Sequence, residues 1–231
     1  MPVTTNSALA LELYETGLLA FDQIKFELAY QNLEMAVKED PDFFMAYFWM
    51  YFMSGKNPKR IADLALQSGS QLNEGEKLIK TAFKYLLDGQ DDKMVENLRK
   101  AIDLYPSDPQ IHKILYILQF MYLKDTEGAV ESINRAIEAV PDYALAYNQL
   151  GYALMELKEY DKAEKAFDTY IRMEPSIANP YDSKGDYYMN TGQYQKAYES
   201  YMKAYEIDSD FTISEKKALK AKQMMNKSSE I

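Results

Sequence analysis

The chain contains no cysteine. That excludes disulfides, thiolate metal sites and a cysteine nucleophile. It contains one histidine, His112, so no second imidazole or thiol is available to complete a metal site or a nucleophile pair. Its glycines form neither a G-x-G-x-x-G nor a G-x-x-x-x-G-K-[S/T] loop, the two common cradles for phosphate. The longest apolar run, Phe43 to Met53, is eleven residues. A bilayer span needs about 20, so no transmembrane helix is expected. Positive charge is in deficit: 26 Lys and Arg stand against 36 Asp and Glu, a formal net charge of −10. Such a field repels a phosphate backbone and no Lys/Arg-rich face interrupts it, so nucleic acid is not an expected partner. The same imbalance keeps proteins soluble and says little about a basic partner. The start, MPVTTNSALALELYE, has neither the basic nor the apolar region of a signal peptide. The compartment is unknown at this level: cytoplasm is the default, and a periplasmic location stays open if a signal peptide has been removed.

What is present is a period. Pro141, Pro175 and Ser209 fall at steps of 34 residues, Pro106 lies 35 before Pro141, and Pro41 lies 65 before Pro106. The segments around these marks are alike: KEDPDF, DLYPSD, EAVPDY, RMEPSI, EIDSDF. A period of this length with helical patterning marks a helix-turn-helix solenoid, whose stability builds up between neighbouring units rather than in one round core. Hydrophobic residues make up 47% and aromatic residues 13% of the chain; the large rings are expected to fill seams between helices.

The clearest unit reads Tyr147-x2-Leu150-Gly151-x2-Leu154, then Ala163-x3-Phe167, then Pro175. This resembles the tetratricopeptide repeat (TPR) family almost position for position, with Tyr147 where the family often has Trp. Gly151 and Ala163 would let two helices approach closely, Leu150, Leu154 and Phe167 would fill the space beside them, and Pro175 would stop the second helix. The next unit repeats the pattern with Tyr181, Gly185, Tyr188, Ala197, Tyr201 and Ala204. The resemblance implies an all-α, right-handed α-α superhelix of about six TPR-like repeats plus a C-terminal capping helix. The expected divisions are an N-terminal segment 1–9, then an array 10–211 with repeats 10–43, 44–74, 75–108, 109–143, 144–177 and 178–211. A capping helix 212–226 and a frayed tail 227–231 follow.

Two repeats depart from the pattern. The second is degenerate and three residues short; Gly55 to Pro58 is read as a turn, with Asn57 as N-cap and Pro58 at the first helical position, and its second helix ends at Gly69. Asn73 and Glu76 have capping-box spacing at the start of the third repeat. The fourth repeat has one extra residue, placed near Lys124 to Glu127. In the capping helix, Ala218, Leu219, Ala221 and Met225 are expected to pack inward, while Lys216, Lys217, Lys220 and Lys222 face water.

Catalytic chemistry finds no constellation, and no cofactor or metal is expected. His112 occupies a helix-packing position, which makes it a core residue rather than a catalyst. The carboxylates Asp88, Asp91, Asp92, Asp208 and Asp210 fall at helix ends and turns, where they cap helices and oppose the dipole.

In the family resembled here, repeat positions 2, 5, 9 and 12 point into an inner groove. That implies a groove lined by Tyr14, Leu18 and Phe21; Phe48 and Phe52; Ile79, Phe83 and Leu86; Lys113, Ile117 and Phe120; Asn148, Tyr152 and Met155; and Asn179, Asp182, Asp186 and Met189. The groove is apolar at its amino-terminal end and polar toward the other. The peptide-contacting set is Tyr14, Leu18, Phe48, Phe52, Phe83, Lys113, Ile117, Phe120, Asn148 and Tyr152. The competing reading is that the shortened second repeat tightens the array, so that Phe48 and Trp49 are simply core. The Lys/Asn/Arg clamp by which some TPR co-chaperones hold a chaperone's terminal carboxylate is not reproduced. Its best register offers Lys113, Ile117, Gln149, Asn179 and Ser183, of which only Lys113 matches.

The resulting expectation is a non-enzymatic protein–protein interaction scaffold that binds a protein or peptide segment in the groove. The alternatives are a ligand-sensing or regulatory TPR module of a larger bacterial signalling or exported protein, and a self-assembling homo-oligomer. The terse, loop-poor repeats suggest a bacterial source.

Overall fold

The computed structural model describes residues 1–53 and 57–228. Among them the regular structure is helical throughout, with no strand. In order the helices are α1 (Ala8–Asp22), α2 (Phe26–Glu39), α3 (Phe44–Met53), α4 (Pro58–Gln67), α5 (Glu74–Leu87), α6 (Asp91–Leu104) and α7 (Pro109–Ile117). A π-helical turn (Leu118–Leu123) extends α7. There follow α8 (Thr126–Ala139), α9 (Ala144–Glu156), α10 (Tyr160–Met173), α11 (Asn179–Asn190), α12 (Tyr194–Ile207) and α13 (Thr212–Ser228). They gather into two compact units, Met1–Ile111 and His112–Ile231.

Helices pair within the repeats because their apolar residues recur at three- and four-residue spacing. Helix α2 turns Ala29, Leu33 and Ala36 inward; α12 turns Ala197, Tyr201 and Ala204. Closest approach falls where a side chain is missing. A Cβ added at Gly151 would lie 2.6 Å from the Phe167 ring, and one at Gly185 would lie 2.5 Å from the Tyr201 ring. These two rings lie on α10 and α12 and cover α9 and α11 at the glycines.

The link inside each hairpin has one residue in the left-handed region: Ile24 (φ 63°), Asn57 (65°), Gly89 (66°), Lys124 (59°), Lys158 (62°) and Gly192 (75°). In the regular repeats the next N–H reaches back to the helix just ended, Lys25 to Ala20 O, Gln90 to Tyr85 O, Glu159 to Leu154 O and Gln193 to Tyr188 O, all at 2.8–2.9 Å. This closure satisfies carbonyls that a helix end otherwise leaves bare. In the fourth repeat the same bond runs from Asp125 N to Gln119 O, one residue longer. The extra residue expected near Lys124 to Glu127 therefore sits upstream, in the Leu118–Leu123 turn. A π-turn closes over five residues rather than four and absorbs an insertion without breaking the helix.

The short second repeat is tied shut by Asp42. Its carboxylate accepts from the N–H groups of Gly69 and Ser70, both at 2.8 Å, and from the Ser70 hydroxyl at 2.5 Å. Helix α4 ends at Gln67, and Gly69 takes φ 80° just beyond it. Asn57 stands at the N-cap position, but its left-handed backbone carries no side-chain cap bond. Gly55 and Lys56 of the expected turn lie outside the described residues. The Asn73–Glu76 capping box is present in both directions.

At the carboxy-terminal end α13 continues through Ser228, so the helix includes two residues expected to fray; 229–231 lie outside the described residues. Ala218, Ala221 and Ser214 are buried. Leu219, expected inside, is 57% exposed. Lys217, expected in water, points inward instead, as described below.

Candidate functional site

In the N-terminal unit the inner side chains close on one another. Phe48, at the centre, has ring centroids of Trp49 at 5.7 Å, Phe52 at 5.0 Å and Phe83 at 5.4 Å. Tyr51 lies 5.0 Å from Phe83, and Trp49 5.3 Å from Phe21. Edge-to-face contacts of this kind add to the burial of large rings. The consequence for the expected groove is direct: Phe48 and Phe83 are each 1% exposed, Tyr14, Leu18 and Ile79 are buried too, and only its edge, Phe21, Phe52 and Leu86, stays half-buried. The apolar strip expected on the surface is interior, because ten consecutive helical residues of α3 are apolar and the repeat that carries them is short. Trp49, 1% exposed, is core as well.

The same unit holds the segment Pro2–Asn6, which lies outside the helices and bends at Asn6, against the end of α2 and the start of α5. Thr4 N–H donates to Glu76 Oε1 at 2.7 Å, and the Thr4 hydroxyl to Glu76 Oε2. The Thr5 hydroxyl and Asn6 N–H donate to Asp40 Oδ2 at 2.6 and 2.8 Å. Asn73 Nδ2 donates to the Pro2 carbonyl at 2.8 Å. Burial pushes the Asp40 carboxyl up, but the Thr5 hydroxyl and the Asn6 and Asp42 N–H groups outweigh it and hold the carboxyl below its ordinary value. Glu76 occupies a second repeat position and was not among the sequence-derived site residues; its capping-box spacing was the visible signal.

The C-terminal unit is arranged differently. Its fifth-position residues are buried: Lys113 at 0% exposure, Asn148 at 7% and Asp182 at 1%. They support the repeats from within and are not offered to solvent. The ninth and twelfth positions, Ile117 and Phe120, Tyr152 and Met155, Asp186 and Met189, are all half-buried. Ile117 and Phe120 pack on the cluster of Tyr116, Ala129, Ile133 and Ala136. Beside them Met121 and Tyr122 are exposed on the π-turn, a feature that often marks functional sites. His112 is buried.

Polar groups complete this face. Tyr152 and Tyr201 each donate a hydroxyl hydrogen bond to Asp186, at 2.8 and 2.7 Å. Burial, with Asp186 adding to it, pushes the Tyr152 phenol well up, so it remains a donor. Lys217 of α13 donates to Asp182 at 2.6 Å and to Asp186 at 2.9 Å, and Ser214 donates to Asp182 at 2.6 Å. Lys217 is thus the counterion of the last repeat's inner face. The buried Asp182 carboxylate, with half-buried Asp186 beside it, needs a cation more than a surface lysine needs water, which is why the expected outward orientation fails. No group of three or more His, Asp or Glu able to hold a metal occurs among the described residues, and none of their helices is long and apolar enough to cross a membrane.

Comparison with known proteins agrees with this architecture. A tetratricopeptide repeat model matches residues 118–182 and a second matches residues 178–211. No curated protein matches the chain in sequence. Among solved structures, a thermophilic TPR protein of Thermus thermophilus is 18% identical, with 92% of this chain and 98% of that chain covered at a TM-score of 0.58. The APC/C hetero-tetramer Cut9–Hcn1 is 18% identical over 92% of this chain and 42% of that chain, at a TM-score of 0.54. MamA is 22% identical over 87% of this chain and 92% of its own, at a TM-score of 0.49. At these identities the first two likenesses concern fold alone.

Proposed function

The chain belongs to the tetratricopeptide-repeat family, with residues 118–211 matched directly, and from that premise we propose a non-enzymatic protein–protein interaction scaffold whose docking surface is the inner face of the C-terminal unit. The observation that carries this reading is the row of half-buried side chains at the ninth and twelfth positions of three successive repeats, Ile117 and Phe120, Tyr152 and Met155, Asp186 and Met189. A partner segment laid along that row meets apolar side chains first, then phenol and carboxylate. Recognition of a helix or an extended peptide by side chains at repeat spacing is an established mode.

The test is affinity capture from native lysate by the wild-type chain and by the Ile117→Ala/Phe120→Ala variant. Circular dichroism must show equal helicity. A partner held by the wild type and lost by the variant supports the reading; identical captures by two folded proteins reject it.

Self-association is a second reading. It is favoured by the exposure of Leu19, Phe26 and Leu28 on the first hairpin, at 60%, 50% and 47%. Light scattering over a concentration series, with Leu19→Glu as control, tests it separately.

A further inference from the structure

We propose that the segment Pro2–Asn6 is a ligand held in cis, occupying a site on the N-terminal unit that binds extended peptides bearing two adjacent hydroxyl side chains, and that a partner segment of this chemistry exchanges with it. The site belongs wholly to the N-terminal unit and does not depend on the docking surface proposed above.

The receptor groups are set in place by their own turns. Glu76 is fixed by Asn73, whose N–H and side-chain Nδ2 donate to its Oε2 at 3.2 and 2.9 Å. Asp40 is fixed by Asp42 N–H, which donates to its Oδ1 at 3.0 Å. Each carboxylate is left with acceptor capacity directed at the segment. Glu76 is fully buried and Asp40 is 6% exposed, so both require donors from whatever lies against them.

The segment supplies those donors in a pattern that an extended chain provides. Pro2 accepts from Asn73, while Thr4 and Asn6 donate their N–H groups to Glu76 and Asp40. Backbone groups of alternate residues thus meet the receptor side chains. The Thr4 and Thr5 hydroxyls complete the two carboxylates. Carboxylates accept only, so the site reads donors. Valine, the same shape as threonine, would leave both acids short of a partner, and a site built this way rejects the analogue that lacks the hydroxyl. Serine would be accepted.

Exchange follows from what holds the segment. The contacts of Pro2–Asn6 are hydrogen bonds that another peptide can supply, the neighbouring Met1 ammonium pairs separately with Asp108, and Pro2 and Asn6 remain exposed. The segment therefore competes for its site as an intramolecular ligand at high effective concentration, and an outside peptide binds well only once that competitor is weakened.

The experiment uses the full chain carrying Thr4→Asp and Thr5→Asp, which sets like charge against Glu76 and Asp40. The probe is a fluorescent peptide of the chain's own residues 2–8, followed by anisotropy. We expect saturable binding to this variant and at least tenfold weaker binding to the wild type. A peptide with serine in place of both threonines should bind; one with valine should not. Absence of binding to a variant of wild-type helicity overturns the proposal, as does equal binding of the valine peptide. If the variant does not fold, hydrogen exchange on the wild type decides. Thr4 and Asn6 amides exchanging at least a hundredfold faster than the amides of Ala82 and Phe83 support release of the segment from a folded unit; equal rates show an integral part of the fold and overturn it.

Discussion

In the N-terminal unit the inner side chains are aromatic and find their partners in one another; in the C-terminal unit they mix apolar and polar groups, and the carboxylates among them take a partner from a helix outside the repeats. Phe48 and Phe83 are enclosed by rings from α3 and α5, whereas Asp182 and Asp186 are neutralised by Lys217 on α13. An apolar inner face can close because rings need no counterparts beyond other rings. A face carrying carboxylates cannot, and it stays partly open and takes a cation from a capping helix. Within one repeat pattern, composition at these positions decides between a filled interior and a partly open face.

The contrast is sharpest in aromatic truncation. Phe83→Ala should cost about 3–5 kcal/mol by opening a cavity among rings, read as lost hydrogen-exchange protection in α5. Phe120→Ala, half-buried at the start, should cost about 1–2 kcal/mol. Equal costs would erase the distinction between the two faces. Next, Lys217→Ala leaves Asp182 buried without its cation. It should cost about 3 kcal/mol, the low end for a broken buried pair, because Lys217 is itself 30% exposed. The loss should appear in α11 to α13 and spare α1 to α6.

The units should also part company in pH. Burial raises the Asp182 carboxyl above its ordinary 3.8, against the pull of Lys217. The native state holds that proton more tightly, so stability from this group falls as pH rises through the window above 3.8. Burial works to lower Lys217, but Asp182 and Asp186 outweigh it and raise it above 10.5. Its contribution is full below 10.5 and is lost as pH rises through the folded-state value. Asp40 and Asp42 are held below 3.8, Asp42 chiefly by the Ser70 hydroxyl. Their contribution is full above 3.8 and is lost as pH falls through the lower folded-state value. Hydrogen exchange should therefore find residues 2–6 and the second repeat loosening first in acid, and α13 loosening first in alkali.

A smaller effect concerns close approach. Gly151→Leu should cost about 1–3 kcal/mol by overpacking against Phe167, measured as a shift in the urea midpoint. Gly17→Ala, whose new Cβ would meet Leu33 at 3.1 Å, should be milder. The smallest lies in the turns. Ile24→Gly should gain about 1 kcal/mol by relieving a left-handed β-branched residue. Gly192→Ala, whose Cβ meets nothing within 4 Å, should lose about the same through backbone strain alone. Thermal melts of the pair test whether one turn geometry serves both units.

The repeats were legible because period and helix spacing are properties of the chain alone. Gly151, Ala163 and Phe167 announce a close helix pair from spacing alone, and Asn73 with Glu76 announces a helix start. The face that each repeat leaves open was not legible. Whether Phe48 is exposed depends on where the rings of Trp49, Phe52 and Phe83 go, and a position number does not carry that. Lys217 sits among four lysines that look alike in sequence; only the distant Asp182 and Asp186 distinguish it. The role of Glu76 toward Thr4 was hidden for the same reason, since 72 residues separate the partners.

That last separation bears on the order of events during synthesis. Repeat proteins are assembled from near neighbours, and each hairpin can form soon after it leaves the ribosome. Thr4 and Asn6 emerge before their acceptors, and Asp40 and Glu76 follow 34 and 72 residues later. At translation rates of about 5–20 residues per second, Thr4 waits roughly 4–14 s for its acceptor. The segment therefore cannot dock in full until the third repeat has begun to emerge, and before then the nascent chain holds Thr4 without its acceptor.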